Sequence, residues 1–398
     1  MKILCFIDNL GSGGAQRQLT TLADGLKNRG HQIRFLVYHP QDHFLPALQA
    51  ADIPCEVIPP CSHGKRLLAV RRILRQGWQD VVLALLEGPC LYAELARFPC
   101  QHWGLVAGER LADPKIMTGS GRWFRHFHRL ADAVVCNSHT NRLMLEAEFP
   151  CITKKLTTIY NTVDLQLFQP APRELDVTHH TRSEPYRIVV AAGYHAKKNM
   201  MGVAMALLLI QKTPTPPAVV IDWYGAIQAD PSPFEQVKKF VADNDLSHCL
   251  RLHPPTKTIE REYAGATAVG LFSFFEGVPN VICEAMACGK PVLLSNVCDA
   301  GNLVQDGKNG FLCDPGSPDD IADKILRLVT LPESERQRMG DEARKMAERL
   351  FREDEVIARY EHILATTTRH EAITTDGGWP SHVPESATMS VKQWMEER

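Results

Sequence analysis

Residues 273–292 read SFFEGVPNVICEAMACGKPV. The apolar run TAVGLFSF at 267–274 leads into this stretch, and the apolar run KPVLLSNV at 290–297 ends it. Between the two runs, residues 280–288 have the apolar spacing of a helix. A strand, a helix and a second strand in this order form a βαβ unit. The stretch therefore predicts two parallel strands of one sheet, joined by a helix.

The same alternation of short apolar runs and helical stretches continues on both sides. The strand-like runs are KILCFI, HQIRFLVY, CEVIP, DVVLALL, HWGLVA, DAVVCNS and KLTTIY in the first part, and RIVVAAGY, AVVIDWYG and HCLRLHP in the second. The segment QPAPRELDVTHHTRSEP at 169–185 separates the two parts; it is polar, contains prolines and has no periodicity. The sequence therefore predicts an α/β protein of two Rossmann-like, doubly wound domains facing across a cleft.

Composition excludes several classes of protein. The formal net charge of −2 over 398 residues offers no electrostatic basis for binding nucleic acid. The 12 cysteines include no C-x-x-C pair, which disfavours zinc ribbons and thioredoxin-like sites and favours a reducing compartment. The N-terminal apolar run is too short for a signal peptide, and no run reaches about 18 apolar residues. We expect a cytoplasmic protein, either free or peripheral on the cytoplasmic face of a membrane.

Glu276 and Glu284 are two carboxylates within the opening stretch. Glu276 is predicted to precede the helix, and Glu284 to lie one turn inside it. Backbone N–H groups at the helix start suit a diphosphate, while the carboxylates can accept hydrogen bonds from sugar and ribose hydroxyls. The alternative is that both glutamates are solvated charges flanking a helix. The apolar surroundings disfavour it, because an unpaired carboxylate is costly there.

This stretch resembles the E-x7-E signature of retaining glycosyltransferases of family 4, which have the GT-B fold. Further similar segments follow in the family's order along residues 1–366: LGSGGAQRQL, ADAVVCNS, KLTTIYNTVD and KNGFLCDPGSPDDIADKI. The resemblance implies a nucleotide-sugar donor held mostly by the second domain and an acceptor held mostly by the first. The implied organisation is an acceptor-side domain at 1–168, a linker at 169–186, a donor-binding domain at 187–348, a helix at 349–368 returning to the first domain, and a polar tail at 369–398.

The implied activity is that of a hexosyltransferase-type enzyme acting with retention in the biosynthesis of polysaccharide, lipopolysaccharide or another glycoconjugate. The donor is expected to be a UDP- or GDP-sugar, and the acceptor a glycan or a lipid-linked glycan. No metal and no other cofactor is expected. Two alternatives stay open: a nucleotide-sugar epimerase or hydrolase on the same fold, and a catalytically silent subunit that binds a nucleotide sugar.

The resemblance assigns roles to individual residues. Glu276 and Lys198 would be catalytic, with Glu276 at the donor sugar and Lys198 at the departing diphosphate. The family pairs this lysine with an arginine five residues earlier, where this chain has Gly193, so Lys197 would supply the second charge. The alternative is that Lys197 and Lys198 are a solvated pair. The expected donor-binding residues are Gly13, Gly14, Lys197, Lys198, Gly277, Val278, Pro279, Asn280, Val281 and Glu284.

Gly13 and Gly14 stand in a glycine-rich turn directly after the first predicted strand. Such a turn lets a phosphate approach the backbone at a helix N-terminus. A dinucleotide fingerprint would require a glycine at Gln16 and an acidic residue at the end of HQIRFLVYHP, and both are missing. These absences disfavour a dehydrogenase, and a purely structural turn is the other alternative.

Glu109 and Arg110 follow the run HWGLVA, at the strand end where doubly wound sheets bind ligands. Many family members have a histidine there. Arg110 could meet phosphates or the acceptor, with Glu109 orienting it, or the two could form a structural ion pair.

The segment 122–129 reads RWFRHFHR and is predicted to be a helix with three arginines at helical spacing. It could contact an anionic membrane, and a core-packing helix with a solvated basic edge is the favoured alternative. The D-x-D sequence at 243–245 lies at a predicted helix end, so we interpret it as a turn and not as a metal site.

Overall fold

The chain folds into two compact units in the computed structural model. The first unit contains residues 1–162 and the helix at 353–368, and the second contains residues 163–352. The structure describes residues 1–99, 103–110, 119–171 and 185–368. Most of the expected linker at 169–186 and the whole expected tail at 369–398 therefore lie outside the described residues.

The first unit is built on a parallel sheet, which has seven strands within the part of the chain described. They are β1 (Lys2–Phe6), β2 (Gln32–Val37), β3 (Cys55–Val57), β4 (Val81–Leu85), β5 (Gly104–Glu109), β6 (Ala133–Cys136) and β7 (Leu156–Thr158). Their order across the sheet is β3-β2-β1-β4-β5-β6-β7. The winding reverses between β1 and β4, and ligands bind such sheets at the carboxyl ends of the strands beside the reversal.

Helices connect these strands. They are α1 (Gly14–Asn28), α2 (Leu45–Ala50), α3 (His63–Leu74), α4 (Glu87–Arg97), α5 (Gly119–Arg125) and α6 (His139–Glu148). Short 3-10 turns at 126–130 and 150–155 follow α5 and α6.

The second unit has a parallel sheet of six strands among its described residues. They are β8 (Tyr186–Ala191), β9 (Val219–Tyr224), β10 (Leu250–His253), β11 (Ala268–Leu271), β12 (Val292–Ser295) and β13 (Gly310–Cys313), in the order β10-β9-β8-β11-β12-β13. Its helices are α7 (Met200–Gln211), α8 (Ser232–Asp243), α9 (Ile259–Ala264), α10 (Asn280–Ala287), α11 (Ala300–Leu303), α12 (Pro318–Thr330) and α13 (Glu333–Leu350). The winding reverses between β8 and β11.

The last described helix, α14 (Glu353–Thr368), packs on the first unit although it follows the second in sequence. Its apolar face joins the core formed by β1, β4 and α1, and consists of Val356, Ile357, Tyr360, Ile363 and Leu364. Gly25 of α1 permits this close approach, since a Cβ atom there would lie 2.0 Å from the Ile357 Cδ1 atom.

The predicted fold class is confirmed: both units are doubly wound, Rossmann-like α/β domains. The βαβ unit predicted from residues 267–297 is β11, α10 and β12, whose two strands pair directly in parallel. Among the described helices, none is both long and apolar enough to cross a lipid bilayer.

Candidate active site

Lys198 and Glu276 meet where the winding of the second sheet reverses. Lys198 ends a short 3-10 turn that follows β8, and Glu276 lies in the loop between β11 and α10. Because β8 and β11 are adjacent and parallel, their carboxyl ends converge. The Lys198 ammonium donates a hydrogen bond to Glu276 Oε1, and the two side chains are 20% and 18% exposed. The two residues predicted to be catalytic are therefore in direct contact, and both are partly exposed.

The loop after β8 is held by Asn199, whose importance the sequence did not indicate. Asn199 has φ +61°, in the left-handed region, and caps α7 by accepting a hydrogen bond from the Gly202 N–H at 3.2 Å. Its amide nitrogen donates to the Pro315 carbonyl oxygen at 2.7 Å. Phe274 N–H donates to the Lys197 carbonyl oxygen at 2.9 Å, which joins this loop to the one that contains Glu276. These bonds determine where Lys198 stands.

Glu284 lies in the second turn of α10 and is 5% exposed. The helix begins at Asn280, within the predicted range, and the N–H groups of Ile282 and Cys283 donate to the Pro279 carbonyl oxygen. Before it, Gly277 is half-buried and Val278 and Pro279 are buried, while Asn280 and Val281 are half-buried in the first turn. The predicted donor-binding residues of this segment thus form one continuous loop and helix start.

Lys197 and Gly193 occupy the positions where a second cation was expected. The side chain of Lys197 is exposed, and it is Lys198 that pairs with Glu276. A Cβ atom at Gly193 would lie 2.7 Å from Nε2 of Gln228, an exposed side chain. This part of the chain therefore presents one cation, Lys198, in contact with the expected sugar-binding carboxylate.

A second polar cluster links three adjacent strands of the same sheet, β8, β9 and β10. Asp222 accepts from Arg187 Nε at 2.6 Å, and its other oxygen lies 2.8 Å from His253 Nε2. The His253 ring stacks on Tyr224 with 4.6 Å between ring centres. Burial would raise the pKa of Asp222, but the bonds from His253 and Arg187 lower it overall. The cluster fixes the strand end that adjoins Tyr194, whose hydroxyl donates to the His253 carbonyl oxygen at 2.7 Å.

Gly13 and Gly14 lie in the first unit, where β1 leads into α1. Gly13 is the N-cap residue of α1, and Gly14 is its first residue. Asn9 shapes the turn by accepting from the Gly11 N–H at 2.7 Å and from Gln16 Nε2 at 3.3 Å. The two glycines therefore stand at the winding reversal of the first sheet, between β1 and β4.

The expectation that Glu109 orients Arg110 is wrong. Glu109 is 5% exposed and accepts from Arg125 Nη2 at 2.9 Å and from His128 Nε2 at 2.9 Å. The other ring nitrogen of His128 lies 2.6 Å from the carboxylate of Glu94, which is fully buried. Arg110 instead donates from Nη1 to Asn161 Oδ1 at 3.0 Å.

The contacts within this buried group shift the pKa values of Glu109, His128 and Glu94. Burial would raise the pKa of Glu109, but the charge of Arg125 and the bond from His128 lower it to about 2. Burial would lower the pKa of His128, but the carboxylates of Glu94 and Glu109 raise it to about 10. Burial raises the pKa of Glu94 despite the His128 charge. At neutral pH the imidazolium of His128 therefore bridges two acidic side chains.

The predicted basic face of residues 122–129 also needs correction. Helix α5 ends at Arg125, and a 3-10 turn continues the segment. Arg125 and His128 point into the unit and are buried, whereas Trp123 is 55% exposed and Arg122 pairs with Glu148 at 3.0 Å. The arginine stripe is thus divided between core and surface, because Arg125 is the partner of Glu109. Contact with a membrane stays a prediction.

The D-x-D sequence lies at the end of α8, as predicted. Asp243 is the last residue of that helix and pairs with Lys239 one turn earlier, and Asp245 has φ +55°. Within the described ranges, no three His, Cys, Asp or Glu side chains are grouped so that they could hold a metal ion.

Two doubly wound parallel sheets, with polar residues at the carboxyl ends of their strands, define a class of two-domain α/β proteins to which many nucleotide-binding enzymes belong. The family model for glycosyl transferases group 1 matches residues 174–346, and the model for glycosyltransferase family 4 matches residues 12–167. Together these two ranges account for most of the chain. The chain belongs to the family 4 glycosyltransferases, which have the GT-B fold.

Relatives and solved structures agree with this assignment. An uncharacterized glycosyltransferase of Methanocaldococcus jannaschii is 29% identical over 130 residues, which are 32% of this chain and 37% of that protein. The D-inositol 3-phosphate glycosyltransferase of Thermobifida fusca is 27% identical over 220 residues, 53% of this chain and 50% of that protein. The chain thus spans between a third and half of the length of these relatives.

The crystal structure of Anabaena Alr3699/HepE in complex with UDP superimposes with a TM-score of 0.80 at 20% identity, covering 92% of this chain and 100% of that one. At this level of identity the superposition shows a shared fold.

Proposed function

We propose that this protein transfers a sugar from a nucleotide-sugar donor to an acceptor hydroxyl with retention of the anomeric configuration. The observation that carries the proposal is the contact between Lys198 and Glu276 at the winding reversal of the second sheet. This contact places one cation and one carboxylate beside the start of α10. A sugar diphosphate needs both groups, since its phosphates require a positive charge and its hydroxyls require an acceptor.

The donor would lie along the loop and helix start at 276–284. Lys198 has three ammonium hydrogens, so it can keep its bond to Glu276 while donating to a phosphate oxygen. Backbone N–H groups in the first turn of α10 add a partial positive charge. Glu284, a turn further along, would accept from the ribose hydroxyls. UDP is the first nucleotide to test, since the HepE crystal structures hold UDP or UDP-glucose.

In the proposed reaction, the bond between the sugar anomeric carbon and the diphosphate oxygen breaks, and its electron pair leaves with the diphosphate. The acceptor oxygen bonds to the anomeric carbon on the same face, and its proton passes to the departing phosphate oxygen. Lys198 stabilises the charge that develops on the diphosphate, which is the main contribution a protein can make here. Glu276 positions the sugar. No metal is required in this scheme.

The test is turnover of UDP- and GDP-sugars by the wild-type protein and by two variants. Lys198→Ala and Glu276→Ala should each lower turnover about a hundredfold or more, as loss of a positioned electrostatic group does. The matched control is Lys238→Ala, which removes an exposed lysine on α8 of the same unit. Near-normal rates in both site variants would overturn the assignment, and EDTA should leave the wild-type rate unchanged.

A second candidate is a silent subunit that binds the nucleotide sugar without transferring it. Gly193 supports this candidate, because the family has an arginine at that position. That candidate predicts stabilisation of the protein by UDP or GDP, its loss in Glu284→Ala, and no turnover with any acceptor. Conversion of the donor without an acceptor would instead identify an epimerase or hydrolase. For the transferase, we propose acceptors from glycoconjugate biosynthesis.

A further inference from the structure

Three loops are joined side by side at the carboxyl edge of the second sheet. The Tyr194 N–H, after β8, donates to the Ala226 carbonyl oxygen, after β9, at 2.9 Å. The bond from the Phe274 N–H to the Lys197 carbonyl oxygen joins the β8 loop to the β11 loop. The sheet order β9-β8-β11 therefore continues into the loops. Since adjacent strands are about 4.8 Å apart, a ligand at the reversal between β8 and β11 can also contact the β9 loop.

Gly193 in the β8 loop and Gln228 in the β9 loop meet at this edge. A Cβ atom at Gly193 would lie 2.7 Å from Gln228 Nε2, so the amide occupies the space that a side chain at position 193 would fill. Gly225 keeps the two loops close, because a Cβ atom there would lie 2.1 Å from the Ala192 carbonyl oxygen. The two glycines therefore let the Gln228 side chain lie against the β8 loop.

The same loop contains Lys198. The His195 N–H donates to the Gly193 carbonyl oxygen at 2.8 Å, and the Lys198 N–H donates to the His195 carbonyl oxygen at 2.9 Å. These two bonds hold residues 193–198 in one compact loop. The Gln228 amide therefore packs against the start of the loop whose end carries the proposed diphosphate-binding cation.

The Gln228 amide has hydrogen-bonding capacity that its contacts do not use. Its side chain is exposed, and within the part of the chain that the structure describes its Nε2 atom makes one bond, to the Ala226 carbonyl oxygen at 3.4 Å. That distance is long for a hydrogen bond, and an amide nitrogen carries two hydrogens. The amide can therefore donate to a ligand.

The diphosphate of the proposed donor needs more hydrogen-bond donors than Lys198 supplies. The Lys198 ammonium already donates to Glu276, which leaves two of its three hydrogens for phosphate oxygens. A diphosphate has several charged oxygens, and hydrogen bonds to charged groups are the strong ones. A neutral amide beside Lys198 would add donors without adding a charge that must be compensated when the site is empty.

We propose that Gln228 binds the diphosphate of the nucleotide-sugar donor, as a second hydrogen-bonding side chain beside Lys198. The inference rests on the proposed function, because its ligand is the donor of that reaction. The Nε2 hydrogens would donate to phosphate oxygens in the bound donor and in the departing nucleoside diphosphate. Gly193 is then a positioning residue, since its lack of a Cβ atom leaves the space in which the amide stands.

The experiment measures binding of UDP and of GDP to the full chain by calorimetry, together with turnover of the matching sugar nucleotide. Wild-type protein should bind one of the two nucleotides. Gln228→Ala should weaken that binding about tenfold, the effect of losing a hydrogen bond to a charged group, and should lower turnover. Gln228→Glu should weaken it further, because its carboxylate repels the diphosphate. Gln236→Ala, at an exposed glutamine on α8, is the matched control and should bind like wild type.

Gly193→Ala tests the positioning role without changing Gln228. The added Cβ atom displaces only the end of a flexible, exposed side chain, so the variant should fold. It should weaken nucleotide binding about as much as Gln228→Ala does. The double variant should bind no more weakly than either single variant, because both changes remove the same contact. Additive losses, or normal binding by Gly193→Ala, would overturn the role of Gly193.

Equal nucleotide binding by wild type, Gln228→Ala and Gln228→Glu overturns the role of Gln228. If Lys198→Ala loses turnover while the Gln228 variants bind and react like wild type, the proposed function stands and this inference fails. If wild type binds UDP or GDP through Gln228 but transfers no sugar to any acceptor, the diphosphate contact stands and the transferase proposal fails. Binding of neither nucleotide by wild type overturns both.

Discussion

Glu109 is kept ionised inside the first unit by two cations on the segment that follows it. Arg125 and His128 each bond one of its carboxylate oxygens at 2.9 Å, and His128 reaches Glu94 on its other side. A buried carboxylate is tolerated only with such partners. Removing any one member leaves an uncompensated charge in the core, so the group should behave as a unit.

His128→Gln tests this group. Loss of one partner from a buried ion pair costs about 3 kcal/mol, so the free energy of unfolding should fall by about that amount near pH 6. The pKa of His128 is raised from 6.5 to about 10. Its stabilisation is therefore complete below pH 6.5 and is lost as the pH rises towards 10. The difference between wild type and variant, measured by urea unfolding, should shrink over that range.

The exposed histidine two residues earlier is the control, and His126→Gln should differ little from wild type at any pH. A difference between wild type and His128→Gln that stays constant from pH 6 to 10 would contradict an ionised His128.

Glu109 affects stability at the acidic end of the pH range. Its pKa is lowered from 4.5 to about 2, so its stabilisation is present above pH 4.5 and is lost as the pH falls towards 2.

The sequence predicted that some charged residues share one site, but not which of them bond to each other. Lys198 and Glu276 each follow a strand of one predicted sheet, so their meeting follows from topology. Glu109 and Arg110 are consecutive at the end of a strand, and consecutive side chains there point to opposite faces. That alternation already argued against their pairing. The true partner, Arg125, comes from a later helix, and no local pattern determines how that helix packs.

At the scale of elements, the loop between β8 and α7 depends on one left-handed residue. Asn199 combines φ +61° with a helix cap and a bond to Pro315. Asparagine adopts the left-handed conformation more readily than other residues with a Cβ atom, and glycine adopts it freely. The position therefore favours asparagine. The cap requires a side-chain acceptor, and the left-handed backbone disfavours most other residues that have a Cβ atom.

Replacing Asn199 separates these two requirements. Asn199→Gly loses the cap but keeps the backbone conformation, whereas Asn199→Ala loses the cap and adds about 1 kcal/mol of left-handed strain. We expect the alanine variant to be less stable than the glycine variant by about that amount in urea unfolding. Because Lys198 precedes Asn199, turnover should fall in both variants and further in Asn199→Ala. An alanine variant as stable as the glycine variant would refute this account.

Elements differ in how far the sequence predicted them. The strands and α10 followed from apolar runs and helical spacing, because burial in a parallel sheet imposes both. The prediction of one helix with a basic face over residues 122–129 was wrong in detail. Arginines at helical spacing do not reveal that one of them, Arg125, has a buried partner. The docking of α14 came only from the family resemblance. Its apolar face shows that the helix is covered, but not which sheet covers it.

At the scale of the whole molecule, the first unit is discontinuous in sequence. Its sheet ends at Thr158, yet part of its core lies on α14, after the entire second unit. Five apolar side chains of α14 join that core. At about 1.5–3 kcal/mol for each buried side chain, they contribute about 10 kcal/mol. A domain's net stability is about 5–15 kcal/mol, so the first unit should not fold without this helix.

A chain that ends after Arg352 tests this dependence, with hydrogen exchange followed peptide by peptide. Peptides from β1 and β4 should lose their protection, while those from β8 and β11 should keep it, since the second unit contains none of α14. A milder change, Leu364→Ala in the full chain, should cost about 2–5 kcal/mol and weaken protection of the same first-unit strands. Protected β1 and β4 in the shortened chain would mean that the first unit is stable without α14. Loss of protection in β8 and β11 as well would mean that the two units unfold together.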